Sequence, residues 1–227
     1  DVTEEMELLL RRSCLFDVLT PSRCDALLER RDSRQLIERL EHLGVVSSED
    51  GGATARAPEV LRQHFIAASD AAGHSSPERT RERTAMILEQ EGAFGAALGV
   101  LAEGQDWERV RSLLYRAGRT AVQPGTCEWA ALVPGPLVQN DAAFAVARSR
   151  QLVDDGCVAA ASRTAATVPA LTSDPEWLAL ARDLQLTAAS WAGDPPPTAP
   201  DPAGGLREAI RGNPGGVARL MGAPCRP

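Results

Sequence analysis

The sequence predicts a mainly α fold in two parts, a winged-helix domain followed by an α-helical array of the tetratricopeptide (TPR-like) kind. Three observations carry the prediction. Aromatic residues are only 4% of the 227, and the apolar content leans on Ala, Leu and Val, which favours helices over a sandwich or barrel. Apolar stripes at helical spacing recur along the chain, separated by glycine turns. One hairpin signal interrupts them, with Val45-Val46 and Ala53 to Ala57 as strands around the turn Glu49-Asp50-Gly51-Gly52.

The elements follow in order. A first helix over about Glu4 to Ser13 places Met6, Leu9, Leu10 and Ser13 on one face, with acids early and Arg11-Arg12 late, which suits the helix dipole. Thr20-Pro21 opens a second helix, Thr20 as cap and Pro21 at the first position, where its missing N–H costs nothing. Asp32 is expected to cap the third, with Gln35 completing a capping box, and Gly44 stops it. After the hairpin, Pro58 starts a fourth helix with Val60, Leu61, Phe65 and Ala68 on one face. Asp70 to Ser76 reads as a polar linker, ending in the capping pattern Ser75-x-x-Glu78. Helices are then expected over Arg79 to Gln90, Phe94 to Ala102 (ending at Gly104), Trp107 to Ala117, Cys127 to Val133, Ala142 to Val153, Val158 to Thr167 and Pro175 to Trp191. Gly156 and Gly193 lie 37 residues apart, near the roughly 34-residue tetratricopeptide period. These signals divide the chain into a winged helix at 1–73, a helical array at 74–192 and a Pro/Gly-rich linker and mobile tail at 193–227.

Charge argues against a nucleic-acid footprint. Net charge is −7; residues 1–73 hold 14 acids and 9 arginines, and residues 74–192 hold 14 and 11. All 24 basic residues are arginine, which reads as GC-rich bacterial coding. Cys14, Cys24, Cys127, Cys157 and Cys225 show no paired spacing, which argues for buried thiols in a reducing cytoplasm. No apolar run reaches the length of a membrane span, so no membrane partner is expected. The start at Asp1, without Met, suggests a piece of something longer.

Two stretches resemble one family. Leu8-Leu9-Leu10-Arg11-Arg12-Ser13-Cys14-Leu15-Phe16-Asp17-Val18-Leu19-Thr20-Pro21, then Cys24-Asp25-Ala26-Leu27, Asp32-Ser33-x-x-Leu36-Ile37-x-x-Leu40 and Leu43-Gly44, is similar to the segment after the nucleotide-binding domain in large MalT-like, LuxR-family (STAND-type) regulators. Leu88-Glu89-Gln90-Glu91-Gly92, Ala96-Ala97-Leu98, Ala102-x-x-x-Asp106-Trp107-Glu108 and Leu113-Leu114-x-x-Ala117-Gly118 resemble the start of their helical sensor. The resemblance implies a signal-transduction ATPase with a P-loop domain, this winged helix, a sensor array and a DNA-binding effector. Without a lysine there is no Walker A loop in this chain. The cofactor ATP/ADP is therefore expected only in a nucleotide-binding domain outside it, and no cofactor within it. Members carry aromatic-Arg-aromatic-His at the end of the wing, where the histidine senses nucleotide. Here the run is Ala55-Arg56-Ala57-Pro58, which removes that histidine and leaves Arg56 as the phosphate contact.

The candidate residues are few. DNA reading by Ser33 to Leu43 would use Arg34 and Arg39, but Asp32, Glu38 and Glu41 share that helix and Glu49-Asp50 the wing, so direct DNA binding is not expected. His42, His64 and His74 have no metal spacing. His64, seven residues past Ala57, is a displaced phosphate sensor or a helix-surface residue. Cys14 and Cys24 sit on core faces without a base. Trp107, Trp129, Trp177 and Trp191 all fall in the array, either lining a ligand groove or packing repeats together. Trp129, beside Glu128 and before the Pro134-Gly135-Pro136 break, is the expected surface contact. Arg30-Arg31 is a solvated helix end or an interface with the nucleotide-binding domain. The reading is a non-enzymatic, cytoplasmic regulatory fragment of an actinobacterial-type regulator. It would relay an effector or partner on the array to its own nucleotide-binding domain. A helical-repeat scaffold without a nucleotide switch is the alternative.

Overall fold

A computed structural model of the chain describes residues 2–48, 53–72 and 77–192. They pack as two compact units, the first running to Asp106 and the second starting at Trp107. The wing turn at 49–52, His74, the cap Ser75 and the segment 193–227 lie outside the described residues.

In the first unit, α1 (Glu4–Ser13), α2 (Pro21–Leu28) and α3 (Ser33–His42) pack pairwise. Their core is Leu9, Phe16, Leu19, Cys24, Ile37 and Leu40, each at most 2% exposed. Each such side chain contributes roughly 1.5–3 kcal/mol by leaving water. Thr20 caps α2 as expected, its hydroxyl accepting from the Arg23 amide at 3.2 Å, with Pro21 next. Gly44 ends α3 at φ +70, where Gly44 N–H donates to Glu41 and Val45 N–H to Leu40, a complete Schellman turn.

The cap of α3 differs from expectation. The Asp32 side chain makes no cap bond because Arg30 holds its carboxylate. Asp25, reaching from α2, accepts from the Ser33 amide at 3.1 Å instead. The sheet is equally economical. Leu19 exchanges both backbone bonds with Ala55 (2.7 and 2.8 Å), and Ser47 both with Arg56 (2.9 and 2.8 Å). The order helix, strand residue, helix, helix, strand residue, strand residue is that of a winged helix. Its sheet is reduced to these two antiparallel bridges among the described residues, with 55–56 in the middle. Val45-Val46 do not pair; Val46 is buried and the bridge falls on Ser47.

Next, α4 (Glu59–Ala72) packs on α1. Leu61, Phe65 and Ala68 are half-buried, but Val60 is 84% exposed and is not part of that face. The unit closes with the hairpin of α5 (Pro77–Gln90) and α6 (Phe94–Glu103), and α5 also packs on α2. Gly104 ends α6 as expected, as its C-cap in a right-handed conformation, and the left-handed residue Gln105, at φ +57, follows it. A Cβ at Gly104 would also lie 2.9 Å from Arg81 Cδ.

The second unit holds α7 (Trp107–Ala117), α8 (Gly135–Asn140), α9 (Ala142–Asp154), α10 (Val158–Ala165), α11 (Val168–Leu171) and α12 (Pro175–Ala192). Its centre is α9, with contacts to α7, α8, α10, α11 and α12. Ala142 to Ala147 are all buried, so the first half of this helix is apolar all round, as an enclosed segment must be. The expected helix at Cys127 to Val133 is a 3₁₀ segment, Glu128–Leu132. Pro134-Gly135-Pro136 is not only a break: Pro134 caps α8, which Gly135 and Pro136 begin. Pro169 likewise sits inside the first turn of α11, where proline is tolerated.

Candidate functional site

In the second unit, Trp107, Arg111 and Tyr115 recur every four residues along one face of α7 and meet the start of α9. Asp141 is the hub. Its Oδ1 accepts from the amides of Ala143 (3.0 Å) and Phe144 (3.3 Å), capping α9, and from Tyr115 Oη at 3.4 Å. Its Oδ2 accepts from Arg111 Nε at 2.9 Å. The Arg111 guanidinium lies 5.8 Å from the centre of the Phe144 ring. Trp107 meets that ring edge-on at 6.4 Å, and Tyr115 meets Trp177 edge-on at 5.5 Å. Burial, then the Asp141 charge, push the Tyr115 phenol above its ordinary value. Phe144 and Trp177 are buried, whereas the Arg111 and Tyr115 side chains remain about half exposed. The face thus presents a tyrosine and an arginine to solvent on a rigid aromatic base.

One tryptophan does not sit where the sequence placed it. Trp129 is 5% exposed and its ring turns inward, against the expectation of a surface contact. Its Nε1–H has no hydrogen-bond partner. Glu128 beside it is exposed. Trp177 is also buried, Trp107 is half-buried, and Trp191 is the exposed one at 46%.

The candidate arginines lie in the first unit. Arg56 is 61% exposed on the middle strand of the wing base and pairs with Asp17 at 3.3 Å. Arg30 donates Nε and Nη2 to Asp32, which raises the arginine and lowers the aspartate from their ordinary values. Arg31 is exposed. The structure therefore brings neither Arg30 nor Arg56 to a free cationic patch; each already has a carboxylate. In the same unit, Thr3, Met6, Gln35, Glu38, Arg39, His42 and Leu43 line an open groove of about 670 Å³ between α1 and α3. Its charged groups are of both signs.

Burial pushes the Cys24 and Cys127 thiols up to about 12, so both are protonated near neutrality. Among the described residues no three His, Cys, Asp or Glu side chains gather as a metal site. His64 makes an edge contact with Phe65 and lies on the exposed side of α4.

The sequence reading missed Asp141, Arg111 and Tyr115. A signal existed: Asp immediately before an apolar helix start is a cap, and the Trp–Arg–Tyr spacing is helical. Their meeting depends on α7 packing against α9, which local pattern does not specify.

Residues 1–80 match the family model of the MalT winged helix domain. No curated protein and no solved structure matches the chain. No helix among the described residues is long and apolar enough to cross a membrane.

Proposed function

We propose, from the premise that residues 1–80 are a MalT-type winged helix domain, that this chain is the regulatory middle of a signal-transduction ATPase of the LuxR-linked, STAND type. The family match to the winged helix, with its helix–strand–helix–helix–strand–strand order, is the observation that carries the reading. The helical segment after it acts as a TPR-like sensor. An effector or protein bound there changes the packing of the winged helix on a nucleotide-binding domain encoded upstream, and a DNA-binding effector reads the outcome.

Charge supports a packing role for the winged helix over a DNA-reading one. Along α3, Arg34 and Arg39 are offset by Glu38 and Glu41. A helix in a phosphate-lined groove is stabilised by net positive charge, which this face lacks. The chain itself is read as non-enzymatic and cytoplasmic, with ATP or ADP held by the upstream domain.

The test is the reading frame. Within roughly 300 residues before Asp1 it should encode G-x-x-x-x-G-K-[ST] followed by the rest of a nucleotide-binding domain. A frame without that loop overturns the proposal and leaves the helical-repeat scaffold as the better account.

A further inference from the structure

Two arginines join the winged helix to the first hairpin of the array, and they do so in opposite senses. Arg83 on α5 donates Nη1 to Glu29 Oε1 at 2.8 Å and Nη2 to the Ala26 carbonyl at 2.8 Å. That carbonyl belongs to the last turn of α2, where helical oxygens lack intrahelical donors. Glu29 itself holds the left-handed φ of +56 that ends α2, a conformation side chains disfavour. Near the start of α2, Arg23 donates Nε to Glu91 Oε2 at 2.7 Å, just past the end of α5, and Nη1 to the Val18 carbonyl at 2.9 Å. Its guanidinium lies 5.8 Å from the centre of the Phe16 ring.

So α2 and the α5 segment each run from a cation to an anion, and docking them antiparallel sets every charge against its opposite. Docking α5 in the opposite direction would set Arg23 against Arg83 and Glu29 against Glu91. Complementary charge of this kind fixes orientation and register more than it adds affinity.

We infer that Arg23–Glu91 and Arg83–Glu29 are a reciprocal electrostatic latch that makes α5–α6 part of the winged-helix body. The sensor boundary then falls near residues 105–107, where the first compact unit ends, not at the segment before α5. The latch does not rest on the regulatory reading above.

The test uses the full chain with a protease site replacing residues 73–76. After cleavage the two pieces are expected to elute together at low salt. Arg23→Glu with Arg83→Glu should weaken their association about tenfold, the effect of turning two attractions, one exposed at Arg83 and one half-buried at Arg23, into repulsions. Arg79→Glu, a reversal at another exposed position of α5, should not. Adding Glu29→Arg and Glu91→Arg to the reversed pair should restore part of the association. If charge reversal prevents folding, judged by circular dichroism before cleavage, Arg23→Gln with Arg83→Gln gives the same readout at about threefold. Pieces that separate without any reversal, or that stay together equally in the reversed, neutral and Arg79→Glu variants, overturn the latch. So does a four-residue swap that restores nothing. An upstream frame without a P-loop would leave every one of these results intact.

Discussion

Asp141 is where the second unit is most exposed to a single change. Its carboxylate is 10% exposed and serves four donors, two of them the orphan amides at the start of α9. Asp141→Ala removes the cap, worth about 1 kcal/mol and up to about 2 in proteins. It also strands Arg111, but that side chain is 46% exposed, so water replaces the partner and the loss is at most about 1 kcal/mol. The Tyr115 hydroxyl, on a half-exposed residue, recovers its bond from water at almost no cost. The sum is about 2 kcal/mol for Ala. Asn is as good a cap as Asp, so Asp141→Asn should lose only the charge, about 1 kcal/mol or less. All four tryptophans lie in the second unit, so their fluorescence follows its unfolding separately from the first. In urea, with a slope of roughly 2 kcal/mol per molar, the Ala midpoint should fall by about 1 M and the Asn midpoint by less than half of that. Equal shifts for the two variants would refute the cap as the dominant contribution, and an unshifted Ala variant would refute the hub altogether.

Other outcomes follow from the same geometry. Asp25→Ala should destabilise the first unit by about 1 kcal/mol, because Asp25 caps α3, while Asp32→Ala should leave stability unchanged; amide exchange along α3 separates the two. Gly118→Ala should cost about 2 kcal/mol in fluorescence-detected unfolding, since φ is +53 and the new Cβ would sit 2.5 Å from Glu176 Oε1. Tyr115 has a folded value raised by burial and Asp141. Its contribution to stability is therefore complete below about pH 10 and lost as pH rises through the folded value, and Tyr115→Phe should flatten that decline in alkaline urea titrations. A thiol-specific chromogenic reagent should label Cys24 and Cys127 only after denaturation, because both are buried and protonated.

What was legible in the sequence was what neighbours in the chain decide. Thr20-Pro21, Gly44, Gly92 and Gly156 announce helix ends, and each is used as local backbone chemistry requires. The misreadings share one cause, a partner distant in sequence. Asp32 has the right identity for a cap, yet Arg30 competes for it and Asp25 arrives from another helix. Trp129 beside Glu128 and a proline break looks like surface, yet the 3₁₀ segment packs against α9 and turns the ring inward.

The wing base brings these threads together. Ala55 and Arg56 form the middle of a sheet of two bridges, so their backbone is paired on both sides while the Arg56 side chain stays 61% exposed. Its partner Asp17 is 67% exposed, and such a pair contributes about 0.2–1 kcal/mol. A phosphate at Arg56 would make a charge-assisted bond stronger than the one it displaces. The same phosphate would face the freed Asp17 carboxylate. The position is thus rigid in backbone, weakly held in side chain and short of one cation. That combination does not suit an independent anion site on the winged helix.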